Sequence, residues 1–322
     1  MNRKCLAVGI ILLFVGTCII PAIAQDTEKP SSVSRGDWLY VGGSGPGNYS
    51  RIQDAINASS DGDTVFVYDD SSPYYETISI DKEIKVLGED KNSTIIDAGQ
   101  EEIIVQIRAN HTSIENFTLL NATNGCGRAI WIYANHKVII KNNIIIDCAR
   151  GIENGDNGAS YCEFSYNVIE NPSVGIRSLY YHSHLNIHHN IIHRSSTAMQ
   201  LESNLCIIAN NVINDSFDGL EFSVSHANKI YDNIIMNNFI GIDLENSFFN
   251  SFYRNSFIAN NVSARFQSMI VPIYNRWVRN YWDDLGAFPI KRILGVYFIP
   301  VPGLAWNRSN FDWFPAKEPY DI

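Results

Sequence analysis

The chain has 322 residues, of which 45% are hydrophobic and 18% are charged, and its formal charge is −10 at pH 7. This length suits one large hydrophobic core after removal of any leader segment. The acidic balance argues against a nucleic-acid partner, because phosphate groups require a basic protein surface.

Residues 1–24 have the pattern of a secretory signal peptide. A positively charged start precedes an apolar stretch over residues 6–20, and Ala22-Ile23-Ala24 supplies a small-residue cleavage site. We therefore expect a secreted or cell-surface protein in which residues 25–36 link the signal to the folded domain. The apolar stretch is short for a membrane span, although an uncleaved signal would act as an anchor. No later segment has the length of a transmembrane helix.

Export affects how the cysteines and the glycosylation motifs are interpreted. Four of the six cysteines follow the signal peptide, too few for a disulfide-built scaffold. We expect Cys162 and Cys206 to be core thiols, whereas Cys126 and Cys148 are a conceivable disulfide pair. A glycosylating host would make the chain a glycoprotein candidate. The Asn-X-Ser/Thr motifs begin at Asn48, Asn57, Asn92, Asn110, Asn116, Asn121, Asn214, Asn261 and Asn307.

The first element of the folded domain is predicted at residues 50–58. Ser50-Arg51-Ile52-Gln53 matches a capping box, and the apolar residues that follow form one helical stripe. We expect this short helix to cover the N-terminal end of the domain. Strands are predicted next, near residues 64–68, 77–80, 84–87 and 94–96.

From about residue 140 the sequence repeats with a period of about 22 residues. An asparagine that opens a short strand recurs every 21–24 residues, and a small residue follows it eight positions later. The asparagines are Asn143, Asn167, Asn190, Asn211, Asn233 and Asn255. The small residues are Gly151, Gly175, Ala198, Gly219, Gly241 and Ser263.

Within each repeat the apolar residues alternate with a period of two, which is typical of strands with one buried face. Helical solenoids have longer repeats with helical periodicity, and the leucine-rich repeat signature is absent. The sequence therefore predicts an all-β fold over residues 37–270. This fold is a single-stranded, three-sided, right-handed parallel β-helix with coils ~4.8 Å apart. The asparagines are predicted to form a structural ladder between coils and to occupy left-handed turns.

The repeat weakens after Met269. Pro272, Trp277, Tyr281-Trp282 and Trp306 indicate a different kind of segment there. Because an open solenoid end exposes its core and its strand edges, we expect residues 271–322 to form a cap. The prediction is an aromatic-rich C-terminal cap rather than another coil.

Two parts of the chain carry a family resemblance. YVGGSGPGNY (residues 40–49), IQDAI (52–56) and DGDTV (61–65) open the domain, while NYWDD (280–284) and FDWFPA (311–316) close it. The opening resembles that of NosD-like parallel β-helix proteins, and the closing segment resembles that of archaeal surface members. This pectin-lyase-like group includes polysaccharide lyases, hydrolases, epimerases, adhesins and a periplasmic protein of copper-enzyme maturation. The resemblance implies the fold and leaves the function open.

One column of outward residues is the main candidate site. It consists of the side chains two positions after the small residues: Glu153, Arg177, Gln200, Glu221 and Asp243. Glu221 and Asp243 should lie about one coil apart, ~5 Å, which is the carboxylate separation of retaining glycosidases. We interpret the column as a glycan-contacting surface with Glu221 and Asp243 as a candidate catalytic pair. A plain solvated face is the alternative.

Other features weaken the case for catalysis. The Asn-Thr-Asp, Asp-Asp, Gly-His-Gly and Arg-Ile-Lys motifs of pectin-degrading hydrolases do not occur as a set on the coils. Asp283-Asp284 lies in the predicted cap and is interpreted as turn structure. We also find no cluster of aspartates beside lysine or arginine that suggests a calcium-dependent lyase.

Five of the eight histidines lie within residues 182–193. His182 and His184 alternate onto one side of an extended segment, a spacing that could hold Cu²⁺ or Zn²⁺. Adjacent residues of a strand face opposite ways, so all five histidines cannot converge. An exposed polar segment without metal is the alternative interpretation.

Tyr231 and Tyr253 lie in a second outward column, two residues before successive asparagines. Stacked on neighbouring coils, they could form a flat platform for a sugar ring, since an aromatic face matches the apolar face of a sugar. The alternative is an ordinary cross-strand aromatic pair that stabilises the sheet.

The leading hypothesis is a monomeric, non-catalytic protein that binds polysaccharide or a surface glycan, or contributes to the envelope. The first alternative is a carbohydrate-active enzyme, namely a polysaccharide lyase, hydrolase or epimerase. The second is NosD-like metal delivery through the histidine segment. We expect no required cofactor, and copper and calcium are the metals to consider.

Overall fold

The computed structural model describes residues 36–133, 136–155, 159–269, 274–298 and 305–322. The predicted signal peptide and almost all of the predicted linker lie outside these described residues. Arg35–Ile322 form one compact unit.

The domain is an all-β parallel β-helix, as predicted. Each full coil contributes one strand to each of three sides, and equivalent strands of successive coils pair in parallel. Side 1 contains Trp38–Val41, Thr64–Val67, Lys85–Gly88, Ser113–Glu115, Ile139–Lys141, Glu163–Ser165, Asn186–His188, Ile207–Ala209, Lys229–Tyr231, Ser251–Tyr253, Arg276–Val278 and Ala305–Asp312. Side 2 contains Tyr74–Tyr75, Ile95–Asp97, Thr118–Leu120, Ile144–Ile146, Val168–Glu170, Ile191–His193, Val212–Asn214, Ile234–Met236, Ser256–Ile258 and Tyr281–Trp282. Side 3 contains Ile78–Ile80, Ile103–Ile107, Arg128–Ile132, Arg150–Asn154, Val174–Ser183, Thr197–Asn204, Asp218–Ser223, Ile240–Glu245, Val262–Ser268 and Lys291–Phe298.

Alternation along the strands builds one continuous core. The middle residue of each three-residue strand on sides 1 and 2 points inward, and the same position is apolar in successive coils. On side 1 these buried residues are Ile140, Phe164, Ile187, Ile208, Ile230 and Phe252. On side 2 they are Ile145, Ile169, Ile192, Ile213, Ile235 and Phe257. Like residues therefore stack on like residues along the length of the domain.

The repeated asparagines form a buried ladder in the turn between sides 1 and 2. Each side-chain amide donates to Oδ1 of the next asparagine at 2.9–3.2 Å. The ladder continues to Asn280 and ends at Asp312, whose Oδ2 accepts hydrogen bonds from the backbone and side-chain nitrogens of Asn280. The left-handed conformation belongs to the residue before each ladder asparagine, so its assignment to the asparagines themselves is wrong.

The N-terminal helix spans Ile52–Ala58 and starts two residues later than predicted. The predicted capping box does not form, because Arg51 occupies the N-cap position and makes no side-chain capping bond. Instead, the Glu76 carboxylate accepts the backbone N–H groups of Ile52 at 2.8 Å and Gln53 at 3.1 Å. A residue from the next coil therefore accepts the free N–H groups at the start of the helix, and a local sequence rule cannot identify such a residue.

Parallel pairing continues beyond the expected boundary at residue 270. Arg276–Val278 and Tyr281–Trp282 each pair in parallel with the preceding coil, so the first part of the expected cap is a further partial coil. Lys291–Phe298 and Ala305–Asp312 then form an antiparallel hairpin. One hairpin strand pairs with the last coil strand of side 3 and the other with that of side 1, so the hairpin covers the strand edges of these two sides.

Cys126, Cys148, Cys162 and Cys206 form no disulfide among the described residues. Cys148, Cys162 and Cys206 are buried, and burial raises the pKa of the Cys148 and Cys206 thiols to about 12. Cys126 is exposed and forms no disulfide with Cys148, so the conceivable bridge is absent. Within the described residues, no helix combines the length and the apolar character needed to cross a membrane.

Candidate functional site

The outward column of side 3 is continuous and in register. Its members pair with one another on successive strands: Glu153, Arg177, Gln200, Glu221, Asp243 and Arg265. Arg177 Nε donates to Gln200 Oε1 at 3.0 Å, and Gln200 Nε2 lies 3.3 and 3.4 Å from the Glu221 carboxylate oxygens. The column is therefore a connected polar network rather than a row of independent solvated side chains.

Three arginines enclose the first carboxylate of the column. Glu153 lies in the outward column as predicted, but it is only 5% exposed because arginine side chains cover it. Arg150 Nη1 donates to its two oxygens at 2.8 and 2.9 Å, Arg177 Nη1 donates at 2.5 Å, and Arg128 Nε also donates. Burial alone would raise the pKa of Glu153, but the arginine hydrogen bonds bring it below its ordinary value. Glu153 is thus already bound by protein partners.

The other half of the column carries an acidic cluster. Glu221 pairs with Asp243 on the adjacent strand, and Asp218 begins the strand that contains Glu221. Burial and the charge of Asp243 raise the pKa of Asp218. Burial also raises the pKa of Glu221, and the charges of Asp218, Asp243 and Glu245 add to this effect. The buried Oδ1 atoms of Asp218 and Asp243 have no hydrogen-bond partner among the described residues.

Arg265 makes the two central carboxyl groups chemically different. Its Nε and Nη2 donate to Asp243 Oδ2 at 3.0 and 2.5 Å, which stabilises the negative charge of Asp243. Glu221 has no cationic partner within the described part of the chain. Adjacent strands lie about 4.8 Å apart. Glu221 and Asp243 therefore lie on adjacent strands with different partners, since only Asp243 is bound by a guanidinium group.

A pocket of about 500 Å³ lies where the column meets the C-terminal hairpin. Asp243 and Arg265 line it on the column side. The hairpin contributes charged, polar and apolar residues, among them Arg292, Leu294, Phe298, Asn307 and Arg308. A ligand that follows the column towards its C-terminal end therefore reaches a recess with both polar and apolar walls.

Tyr231 and Tyr253 stack against each other on side 1. Their ring centroids are 4.9 Å apart and their planes differ by 10°. Because the rings stack across adjacent coils, their faces point along the solenoid axis rather than outward. The flat outward platform predicted from the sequence does not form. The ring face of Tyr253 towards the next coil has Val278 in register and no aromatic neighbour among the described residues, and Tyr231 has Ala209 in register on the preceding strand.

The histidine segment does not assemble a metal site in the described structure. Among the described residues, no three His, Cys, Asp or Glu side chains are grouped so that they could hold a metal ion. His184 has a left-handed backbone and stacks on Tyr161 at 4.5 Å, so it leaves the extended alternation assumed for it. The side chain of His182 lies outside the described part. The described residues do not fit a copper centre, and we assign no step to copper.

Sequence reasoning misses Asp218, Glu245 and Arg265. Arg265 was recoverable, because the rule that selects the second residue after each small residue gives Arg265 when it starts from Ser263. Asp218 lies on the same strand as Glu221 but outside the column. That Asp218 belongs to the acidic cluster can be recognised only when its burial and its proximity to Asp243 are known.

Comparison with solved structures reveals similar folds. A GH136 lacto-N-biosidase from Eubacterium ramulus aligns with a TM-score of 0.57 and 11% identity, over 76% of this chain and 60% of that chain. The Dettilon tailspike protein aligns with a TM-score of 0.51 and 11% identity, over 71% and 58% respectively. This chain thus spans about three fifths of the length of these proteins, and the likeness concerns the fold alone. No curated protein matches the sequence.

A protein-family model described as "Periplasmic copper-binding protein (NosD)" matches residues 56–287. The matched region is well over half of the chain and includes strands of all three sides. The predicted resemblance to NosD-like parallel β-helix proteins is therefore confirmed. This chain belongs to the NosD family of parallel β-helix proteins.

Proposed function

We propose that the protein is exported and binds a polysaccharide or a surface glycan along side 3. The observation that carries this proposal is the in-register polar column, which leads through the acidic cluster to the 500 Å³ pocket. Successive strands place hydrogen-bonding groups in a line at the strand spacing, ~4.8 Å. An extended polymer with hydroxyl groups along its length suits such an array better than a compact ligand does.

The chemistry of the column favours a hydroxyl-rich ligand. Beyond its bonds to Arg177 and Glu221, the Gln200 amide has a further N–H and a further acceptor lone pair, while buried oxygens of Asp218 and Asp243 lack partners among the described residues. Buried polar atoms in this state are normally satisfied by water or by a ligand. The lacto-N-biosidase that shares the fold is named for action on a glycan. The signal-peptide pattern and the periplasmic description of the family support export.

Retention of the chain 25–322 on immobilised polysaccharides tests this proposal. We expect wild type to be retained by at least one polymer of the panel, and Gln200→Ala and Asp243→Asn to bind about tenfold more weakly. Asn214→Ala on side 2 is the matched control and should bind like wild type. Equal retention of all the proteins, or retention of none, would contradict the proposal.

Glycoside hydrolysis is a second candidate. It is favoured by the different surroundings of two neighbouring carboxyl groups, since Arg265 binds Asp243 whereas burial raises the pKa of Glu221. Glu221 would protonate the glycosidic oxygen as its bond to the anomeric carbon breaks, and the Asp243 carboxylate would bond to that carbon. Water would then transfer its hydroxyl to the sugar, release Asp243 and return a proton to Glu221. Reducing ends that appear with wild type, but not with Glu221→Gln, would establish this reaction. Retention without new reducing ends would leave binding as the function.

A further inference from the structure

The stacked pair Tyr231 and Tyr253 on side 1 is followed by a further parallel strand that has no aromatic residue in the same register. Tyr231 and Tyr253 stack face to face, and the next strand places Val278 in the same register. Valine is much smaller than a tyrosine ring. The position that a third aromatic ring would occupy above Tyr253 is therefore not filled by a ring.

A pocket of about 700 Å³ opens at this position. Tyr253 and Val278 line it, together with the hydroxyl-bearing Ser251. Phe314 from the C-terminal tail also lines the pocket, and its side chain is 72% exposed. The volume lies within the range of about 300–1,000 Å³ that is usual for ligand pockets.

Four cations surround the same pocket in a protein whose formal charge is −10. They are Lys229, Arg254, Arg276 and Arg279. Arg254 donates to Asp232 at 2.7 Å, whereas the other three form no ion pair with any described residue. Lys229 and Arg276 are two strands apart in one column, ~9.6 Å by the strand spacing. Such a concentration of unpaired positive charge attracts anionic ligands.

We propose that this pocket binds an anionic saccharide, with one sugar ring stacked on Tyr253 and its acid group held by Arg276 and Arg279. The apolar face of the sugar would take the place of the missing third aromatic ring. Guanidinium groups donate paired hydrogen bonds to oxyanions, so a carboxylate or a sulfate suits the arginines. A neutral sugar would use the ring face but leave the cations without partners.

The pocket is distinct from the column on side 3. Its lining residues lie on or next to side 1 strands or in the C-terminal tail, whereas Glu221 and Asp243 lie on side 3 strands. A saccharide in this pocket does not require a glycan on side 3. The proposal can therefore be tested separately from the proposed function.

Val278→Tyr is the most informative variant, because it fills the space above Tyr253 and removes no cation. By calorimetry, we expect the chain 25–322 to bind trigalacturonate or a sulfated trisaccharide at least about tenfold more tightly than neutral maltotriose. Val278→Tyr and Arg276→Gln should each abolish this preference. Asn214→Ala on side 2 should bind like wild type, and circular dichroism verifies that each variant is folded.

The two acidic probes distinguish the acid groups that the pocket accepts, and a preference for either one over maltotriose supports the proposal. Equal affinity for charged and neutral trisaccharides, or no binding of any of them, would overturn it. Unchanged binding by the folded Val278→Tyr protein would also overturn it. The same holds if inorganic sulfate binds as tightly as the sulfated trisaccharide, because the ring contact would then contribute nothing.

Discussion

Replacing Glu153 by glutamine keeps the size of the side chain and removes the charge that three arginines share. The side chains of Arg128, Arg150 and Arg177 are 16–24% exposed, so three guanidinium groups would face one another in a largely dehydrated site. Removing one partner of a buried ion pair costs about 3–5 kcal/mol. Since the arginines keep some contact with water, we expect the free energy of unfolding at pH 7 to fall by about 3 kcal/mol.

The effect should depend on pH in a defined direction. Despite burial, the arginine hydrogen bonds hold the pKa of Glu153 in the folded state below its ordinary value of 4.5. A carboxyl group of this kind stabilises the fold above its unfolded pKa, and the contribution is lost as the pH falls through the folded pKa. The advantage of wild type over Glu153→Gln should therefore be largest at neutral pH and should shrink below pH 4.5.

Urea unfolding followed by circular dichroism at pH 7 and at pH 3 measures this difference. Asp243→Asn is the comparison variant, because its partner Arg265 is 50% exposed and the cost of losing that ion pair should stay below about 1 kcal/mol. A loss below about 1 kcal/mol for Glu153→Gln at pH 7 would refute the argument. An equal loss at both pH values would refute the assigned role of ionisation.

Three further predictions concern the ladder, the thiols and the acidic cluster. Asn211→Ala leaves several buried partners unsatisfied and should lower the free energy of unfolding by about 3–5 kcal/mol in urea titrations, against about 0.5 kcal/mol for Asn214→Ala. In the native chain 25–322, a thiol reagent should label Cys126 rapidly and the three buried cysteines only on unfolding; rapid labelling of Cys126→Ser would contradict this. Glu221→Gln should raise the urea midpoint at pH 7, because ionising a carboxyl group with a raised pKa opposes folding. That gain should disappear at pH 3, where Glu221 is protonated in both states.

The stacking of parallel strands explains why much of the fold could be predicted from the sequence. In a parallel β-helix whose strands pair in register, residues at the same position of successive repeats become neighbours in space. The spacing of Asn143 to Asn255 therefore predicts the ladder, and the second residue after each small residue predicts the pairing of Glu221 with Asp243. The same logic, applied to one more repeat, gives Arg265.

The period of the sequence does not describe contacts between a coil and a segment outside the repeat. Glu76 caps the helix from another coil, and Asp312 ends the asparagine ladder from the C-terminal hairpin. The sequence also predicts that Glu153 points outward but not that arginines surround it, because long side chains reach along and between strands.

The sequence by itself therefore determined the solenoid, its coil length and the membership of each column, since repeat spacing converts directly into strand register. Only the tertiary structure decided which members of a column remain available to a ligand. Glu153 is enclosed by burial and ion pairing. Tyr253, in contrast, has the smaller Val278 in register on the next coil, so one face of its ring is open beside Arg276 and Arg279. These differences depend on side-chain size, direction and charge balance between neighbouring coils, which the repeat pattern does not encode.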